Sequence, residues 1–359
     1  MIDPPSLVDQ RCHGVLRTEL GLATFEARLA PADGAPAPGT TFFDTQTGFA
    51  IRRWCPPLLG LEPHCPPARY LARRRELGPA EAGRLLLRSS GIGAYLVDTG
   101  VPGDLTPPAE LAATAGAEAH EIVRLEPLLR RAADSAGSAG EFLAALAGAV
   151  HEAAGAAVAF AVGTAVRGGP AVLPEPPEPG ETRRAAGRWL AVRRPGTDAT
   201  DPVLLRHLLW IAVGSGLPLQ LHTGDADPAA LAGFAAATAG LGTSLVLLHG
   251  YPHHRAAARL SGVFPHVYAD LGTALATTGA RAAAVLAETL ETAPFGKVLY
   301  SSGARDLPEL HVVGARLFHE ALTRVLGGWV RDGAWSARDA QRVAGMLAAG
   351  NARRVYGLR

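Results

Sequence analysis

Cysteine is scarce in this chain, and so is any excess of charge. Cys12, Cys55 and Cys65 are an odd number in 359 residues, which excludes a disulfide-built scaffold and predicts a reducing, cytoplasmic setting. Lys+Arg 34 against Asp+Glu 33 leaves a formal charge of +1. No basic face stands out, so nucleic acid is not an expected partner. No apolar run reaches the roughly 18–20 residues needed to cross a bilayer, and no membrane association is expected. The opening MIDPPSLVDQ has no cationic start followed by an apolar run, which predicts no secretory signal. Repeats of fixed period and domain linkers are also missing. The chain is Lys-poor, a mark of a high-GC genome rather than of function.

The most informative stretch runs from Leu217 to His254. Two short apolar runs, Leu217–Leu221 and Leu245–Leu248, end in His222 and His249. Between them Pro228–Leu241 suits a helix. Both strands are too apolar to have one face in water, so they belong to a parallel sheet buried on both sides. Eight candidate strands, near 8, 95, 123, 160, 219, 247, 268 and 299, alternate with helical segments. That pattern predicts an α/β fold, a (β/α)8 TIM barrel, in which the C-terminal strand ends carry the chemistry. One domain over 1–359 is expected. An insertion of about 40–80 comes after the first strand, and C-terminal helices occupy about 309–359. Proline-rich Thr40–Pro67 reads as a loop over the site, whereas Pro67–Leu77 and Gly78–Ser89 read as helices. The C-terminal helices would cover the barrel or form a face of a homo-oligomer.

Several side chains then fall at strand ends. In SLVDQRCHGV, Asp9, Arg11 and His13 alternate, so a regular strand would point all three one way. His13, His222 and His249 could together hold one Zn²⁺ with an open position; the competing reading is three inert polar caps. Asp270 ends the seventh strand and is a candidate base or orienting acceptor, against a plain loop hydrogen bond. Asp98 has the same ambiguity. Arg52 and Arg53 in the insertion, and Arg167 after the fourth strand, are candidates to hold a substrate carboxylate. Cys12 reads as core filler, and His253 and His254 as helix-start residues.

The segments LVDQRCHGV, LPLQLHTG, LLHGYPHHR, HVYADLG, PFGKVLYSSGARDLPELH and AAGNARRVYGL resemble the amidohydrolase superfamily. They are most similar to the branch found alone or fused ahead of a glutamine-synthetase-like domain, and GFAIRRWC and LVDTG also fit it. The resemblance covers nearly the whole chain. It implies a metal-dependent hydrolase barrel acting on C–N bonds such as amides, γ-glutamyl ones included. Three positions depart from the pattern. The opening His-x-His reads Arg11-Cys12-His13. The region of the fourth-strand ligand, Phe160-Ala161-Val162, offers none. The eighth-strand aspartate, which binds metal and takes a proton from water, is Gly303. His13, His222 and His249 match the remaining histidines.

The expectation is therefore an enzyme hydrolysing a C–N bond of a small, carboxylate-bearing molecule, with one divalent metal (zinc in the first instance) or none. His13, His222 and His249 would hold the metal. Asp270 or Asp306 would move the proton, with Arg11 beside them. Two alternatives accompany it: a metal-independent lyase, cyclase or transferase on the same fold, and an inactive homologue that only binds.

Overall fold

The computed structural model describes all residues except 1, 2, 4, 31–35, 164–173 and 225. Eight parallel strands stand in sequence order. They are β1 (Leu7–Cys12), β2 (Ile92–Asp98), β3 (Glu118–Arg124), β4 (Ala159–Val162), β5 (Leu219–His222), β6 (Leu245–Leu248), β7 (Val267–Asp270) and β8 (Val298–Leu299). β8 is short, yet the backbone past it closes the circle. Gln10 N donates to Tyr300 O (3.1 Å), Gly303 N to Arg11 O (3.0 Å) and His13 N to Ala304 O (2.8 Å). This is the expected (β/α)8 barrel.

The interior is filled by small and branched side chains. Val8, Ala94, Leu96, Ala161, Val246, Leu248 and Leu299 pack there with Ala352 and Tyr356 from the last helix, Asn351–Tyr356. Two larger apolar clusters lie outside the strands, under the helices. Filling the barrel this way makes it a core rather than a pore.

β1 is not regular. Asp9 pairs with Tyr95 and Cys12 with Val97, three residues forward on β1 against two on β2. One residue is therefore bulged, and a bulge re-aims the side chains beyond it. Gln10 and Arg11 both serve the barrel interior, while Cys12 joins the outer core. Asp9 also leaves the interior: it accepts from Ser302 N (2.8 Å) and faces His311 of the helix Pro308–Arg331. The expectation that Asp9 points with Arg11 is overturned by this extra residue.

Thr40–Pro67, read as a loop, holds the helix Gln46–Leu58, and the two helices expected after it are present. Leu22–Ala27, Gln46–Leu58, Pro67–Leu77 and Pro79–Arg88 all precede β2. Gln46–Leu58 carries Pro56 and Pro57 in its last turn, which is why the sequence reads as irregular. Pro56 cannot bond the carbonyl of Arg52, and His64 N takes that acceptor at 2.6 Å. The insertion is anchored, since Arg74 Nε lies 3.0 Å from Glu309 Oε1, a buried pair on Pro308–Arg331. Tyr70 donates to the same carboxylate at 2.7 Å. Elsewhere, Glu126 lies in the first turn of the helix Leu125–Asp134. No helix among the described residues is long and apolar enough to cross a membrane.

Candidate active site

The C-terminal ends of β1, β2, β3, β5, β6 and β7 bring one polar cluster together. Arg11 Nη2 donates to Asp98 Oδ2 at 2.8 Å, and Arg124 Nη2 donates to the same oxygen at 2.6 Å. Gly100 N donates to the other oxygen at 2.9 Å. Burial alone would raise Asp98. The two guanidiniums and His13 outweigh it and hold this carboxyl well below its usual range. Two arginines on one carboxylate leave a surplus positive charge. Burial lowers the pKa of Arg11 and Asp98 opposes that effect. Its Nε–H meets no acceptor among the described residues.

Arg11 also meets the histidines. Its Nη1 lies 3.5 Å from His249 Nε2, and His249 Nδ1 lies 3.2 Å from Thr273 Oγ1. The rings of His249 and His222 sit with centroids 5.0 Å apart at 40°. His249 has φ +57, a left-handed conformation that costs free energy outside glycine and clusters at functional sites. His13 places Nδ1 2.9 Å from Asp98 O. Burial, followed by Arg11, pushes its imidazolium down to about 3, so it is neutral.

Asp270 receives Gln10 Nε2 at 2.8 Å and Ser301 Oγ at 3.1 Å. Burial raises it to about 7 against those two donors. A Cβ at Gly272 would come 2.4 Å from its Oδ2, so only glycine fits beside it. Gln10 is fixed in turn: Gln220 Nε2 and the Tyr356 hydroxyl both donate to its Oε1. A polar ladder thus runs from the last helix through the barrel to Asp270.

A cleft of about 550 Å³ opens beside this cluster, lined by Thr99, Gly100, Arg124, Glu126, Gly163 and Asp198 among others. Glu126 Oε1 accepts from Gly163 N at 2.6 Å. A separate crevice of about 160 Å³ lies between Gln46–Leu58 and Pro308–Arg331, away from the strand ends.

Of the residues named from sequence, Arg11, His13, His222, His249 and Asp270 meet at the mouth. Asp306 does not: with φ +69 it pairs with Arg28 (3.1 Å) and Arg305 (3.4 Å). The expectation that Asp306 moves the proton is corrected by those partners. Arg53 pairs with Glu320 at 3.0 Å and lines the separate crevice, and Arg52 lies 3.8 Å from Asp44. Their helix packs on the outside, so neither joins the cluster. Arg167 lies outside the described residues. Cys12 is buried outside the barrel, and burial pushes its thiol well up. His254, at 2.8 Å from Glu288, starts a helix as expected. Arg124 and Gln10 were missed. Arg124 had a signal, since it ends β3 as Asp98 ends β2.

Among the described residues, His13, His222 and His249 do not bring ligand atoms within 4.8 Å of one another as a group. Arg11 places a fixed cation against His249, where a metal would meet repulsion. Ala161 fills the barrel interior and Gly303 has no carboxylate. These residues do not fit a divalent metal at the mouth.

An eight-stranded parallel barrel with polar groups gathered at its C-terminal end defines a class of enzyme scaffold. Within that class the chain belongs to the amidohydrolase family, whose model matches residues 95–358. It is 34% identical over 152 residues to the protein fluG of Emericella nidulans. That match takes in 39% of this chain and only 17% of the fluG length. A Lactobacillus casei protein, provisionally described as a metal-dependent hydrolase, superposes with a TM-score of 0.83 at 22% identity, covering 98% of this chain and 95% of that one. A uronate isomerase of Bacillus halodurans superposes at 0.63 with 14% identity, covering 99% and 94%.

Proposed function

We propose that this chain is an enzyme that breaks a C–N bond of a small, carboxylate-bearing molecule without a metal at the barrel mouth. One observation carries the reading: Arg11 and Arg124 share the single carboxylate of Asp98 beside an open cleft. The surplus charge is matched to an anionic group, and arginine's forked donors suit a carboxylate. Family membership supports the amide-type bond.

The positions of these residues support the following roles. Arg124, with a side chain 18% exposed, reaches the cleft and takes the substrate carboxylate first. Arg11, buried behind it, holds Asp98 and presents its charge to developing negative charge on the substrate. Asp270 sits near neutrality, where a carboxyl can both accept and return a proton. His249, held by Thr273, is the second proton carrier. The step is proton transfer to the leaving nitrogen as water adds to the carbonyl carbon, with the proton of water passing to the ionised carboxylate.

L-glutamate as a binding probe and γ-glutamyl-p-nitroanilide as a chromogenic amide test this. Turnover that persists in EDTA and vanishes in Asp270→Asn is expected. Arg124→Gln should weaken glutamate binding by roughly tenfold or more, the loss of a charge-assisted pair. Turnover abolished by EDTA would overturn the metal-free reading. A second reading, a barrel that binds and does not turn over, is favoured by Gly303 and Arg11. Glutamate binding with no amide or isomerase turnover would establish it.

A further inference from the structure

We infer that Asp9, Cys12 and His311 form a structural metal site outside the barrel, between β1 and the helix Pro308–Arg331, suited to zinc. One ligand atom from each lies within 4.8 Å of the others. His311 Nδ1 stands 3.7 Å from Asp9 Oδ2, and ligand atoms around tetrahedral zinc stand roughly 3.5 Å apart given bonds of about 2.0–2.3 Å. Side-chain shifts of about an ångström therefore close the site.

Two independent observations point to something held here. Both ring nitrogens of His311 are buried and meet no hydrogen-bond partner among the described residues, though a buried imidazole normally has one. The Tyr300 hydroxyl is likewise buried and unpartnered among them. The pocket is thus short of partners from two sides. The bulge in β1 is what turns Asp9 and Cys12 outward together. Among the described residues, Cys12 Sγ has the Leu96 carbonyl as its partner, at a long 3.6 Å.

The chemistry balances. Zn²⁺ with an aspartate, a thiolate and a neutral imidazole carries no net charge, the condition for burying it among apolar groups. Binding displaces the thiol proton to solvent and forms the Zn–S bond. Asp9 keeps Ser302 on its other lone pairs. No oxidant or reductant is needed. With every ligand buried, the ion would enter during folding, and it would fasten β1 to the helix that also anchors the insertion. The site is separate from the mouth, where Arg11 opposes a cation.

The full-length protein, produced in zinc-supplemented medium, tests this by elemental analysis. About one zinc per chain is expected, retained in His222→Ala and falling to near zero in Cys12→Ser and His311→Ala. Protein produced with Co²⁺ should show sulfur-to-cobalt charge-transfer absorption, absent in Cys12→Ser. That signal in the wild type needs a thiolate ligand and does not depend on any variant. Zinc near zero in the wild type would overturn the proposal. So would zinc that persists in folded Cys12→Ser, or cobalt bound without the charge-transfer band.

Discussion

Asp98 is the residue on which the mouth depends. It is a buried carboxylate between two guanidiniums, and it and Arg11 were brought out of water at a cost. Asp98→Ala should destabilise the protein by about 3–5 kcal/mol, because two like charges would then face each other unpaired; urea unfolding measures this. Two neighbours give opposite pH dependences. Asp270 rises from 3.8 to about 7 on folding. The folded state therefore holds more proton across that window, and its contribution is lost as pH rises from about 4 to 7. His13 falls from 6.5 to about 3, so its contribution is lost as pH drops below about 6.5. Asp270→Asn should remove the first trend, making the variant relatively more stable than wild type at pH 8 than at pH 5. Thermal melts at both values decide it. Since the base form of Asp270 is the ionised one, kcat/KM of the wild type should also rise with pH through about 7.

At the scale of the elements, the sequence was legible where local pattern and fold agree. β6 is Leu245–Leu248 as its apolar run implies, and helices starting at Pro67 and Pro79 reflect proline's fit to a first turn. Legibility failed where one residue changes direction or a long-range partner decides. The β1 bulge has no local signature, so Arg11 could be assigned to an end but not to its contact with Asp98. The pairing of Asp306 with Arg28, 278 residues away in sequence, is equally invisible locally. Gly303 shows the reverse, a departure whose full meaning needed the backbone. It has φ +59, and a Cβ there would meet Thr273 Cγ2 at 2.4 Å. The segment after β8 is therefore shaped around glycine, and Thr273 in turn holds His249. Gly303→Ala should cost about 1–3 kcal/mol. Gly303→Asp should not restore metal-dependent hydrolysis even beside Arg11→His. Unfolding midpoints and zinc-supplemented turnover check the two halves of that statement.

Across the whole molecule, the two ends of the chain meet under the catalytic face. β1 supplies Gln10, and the final helix supplies Tyr356, whose hydroxyl donates to Gln10 Oε1 and accepts from Gln220 Nε2 at 2.9 Å. Gln10 passes the constraint to Asp270. Tyr356 and Ala352 also complete the apolar filling of the barrel. The final helix is thus part of the barrel's filling. Tyr356→Phe keeps the ring and removes the hydroxyl. It should cost about 1–2 kcal/mol, because Gln10 loses a donor in a site that water does not reach. The effect should extend to the mouth: Gln10 becomes free to turn, its bond to Asp270 weakens, and the carboxyl loses a donor that lowers its pKa. The pH midpoint of kcat/KM should then move above about 7 while the fold is retained. A profile that shifts without loss of circular dichroism would show that the floor of the barrel tunes the acid at its rim. An unchanged profile would confine Tyr356 to packing.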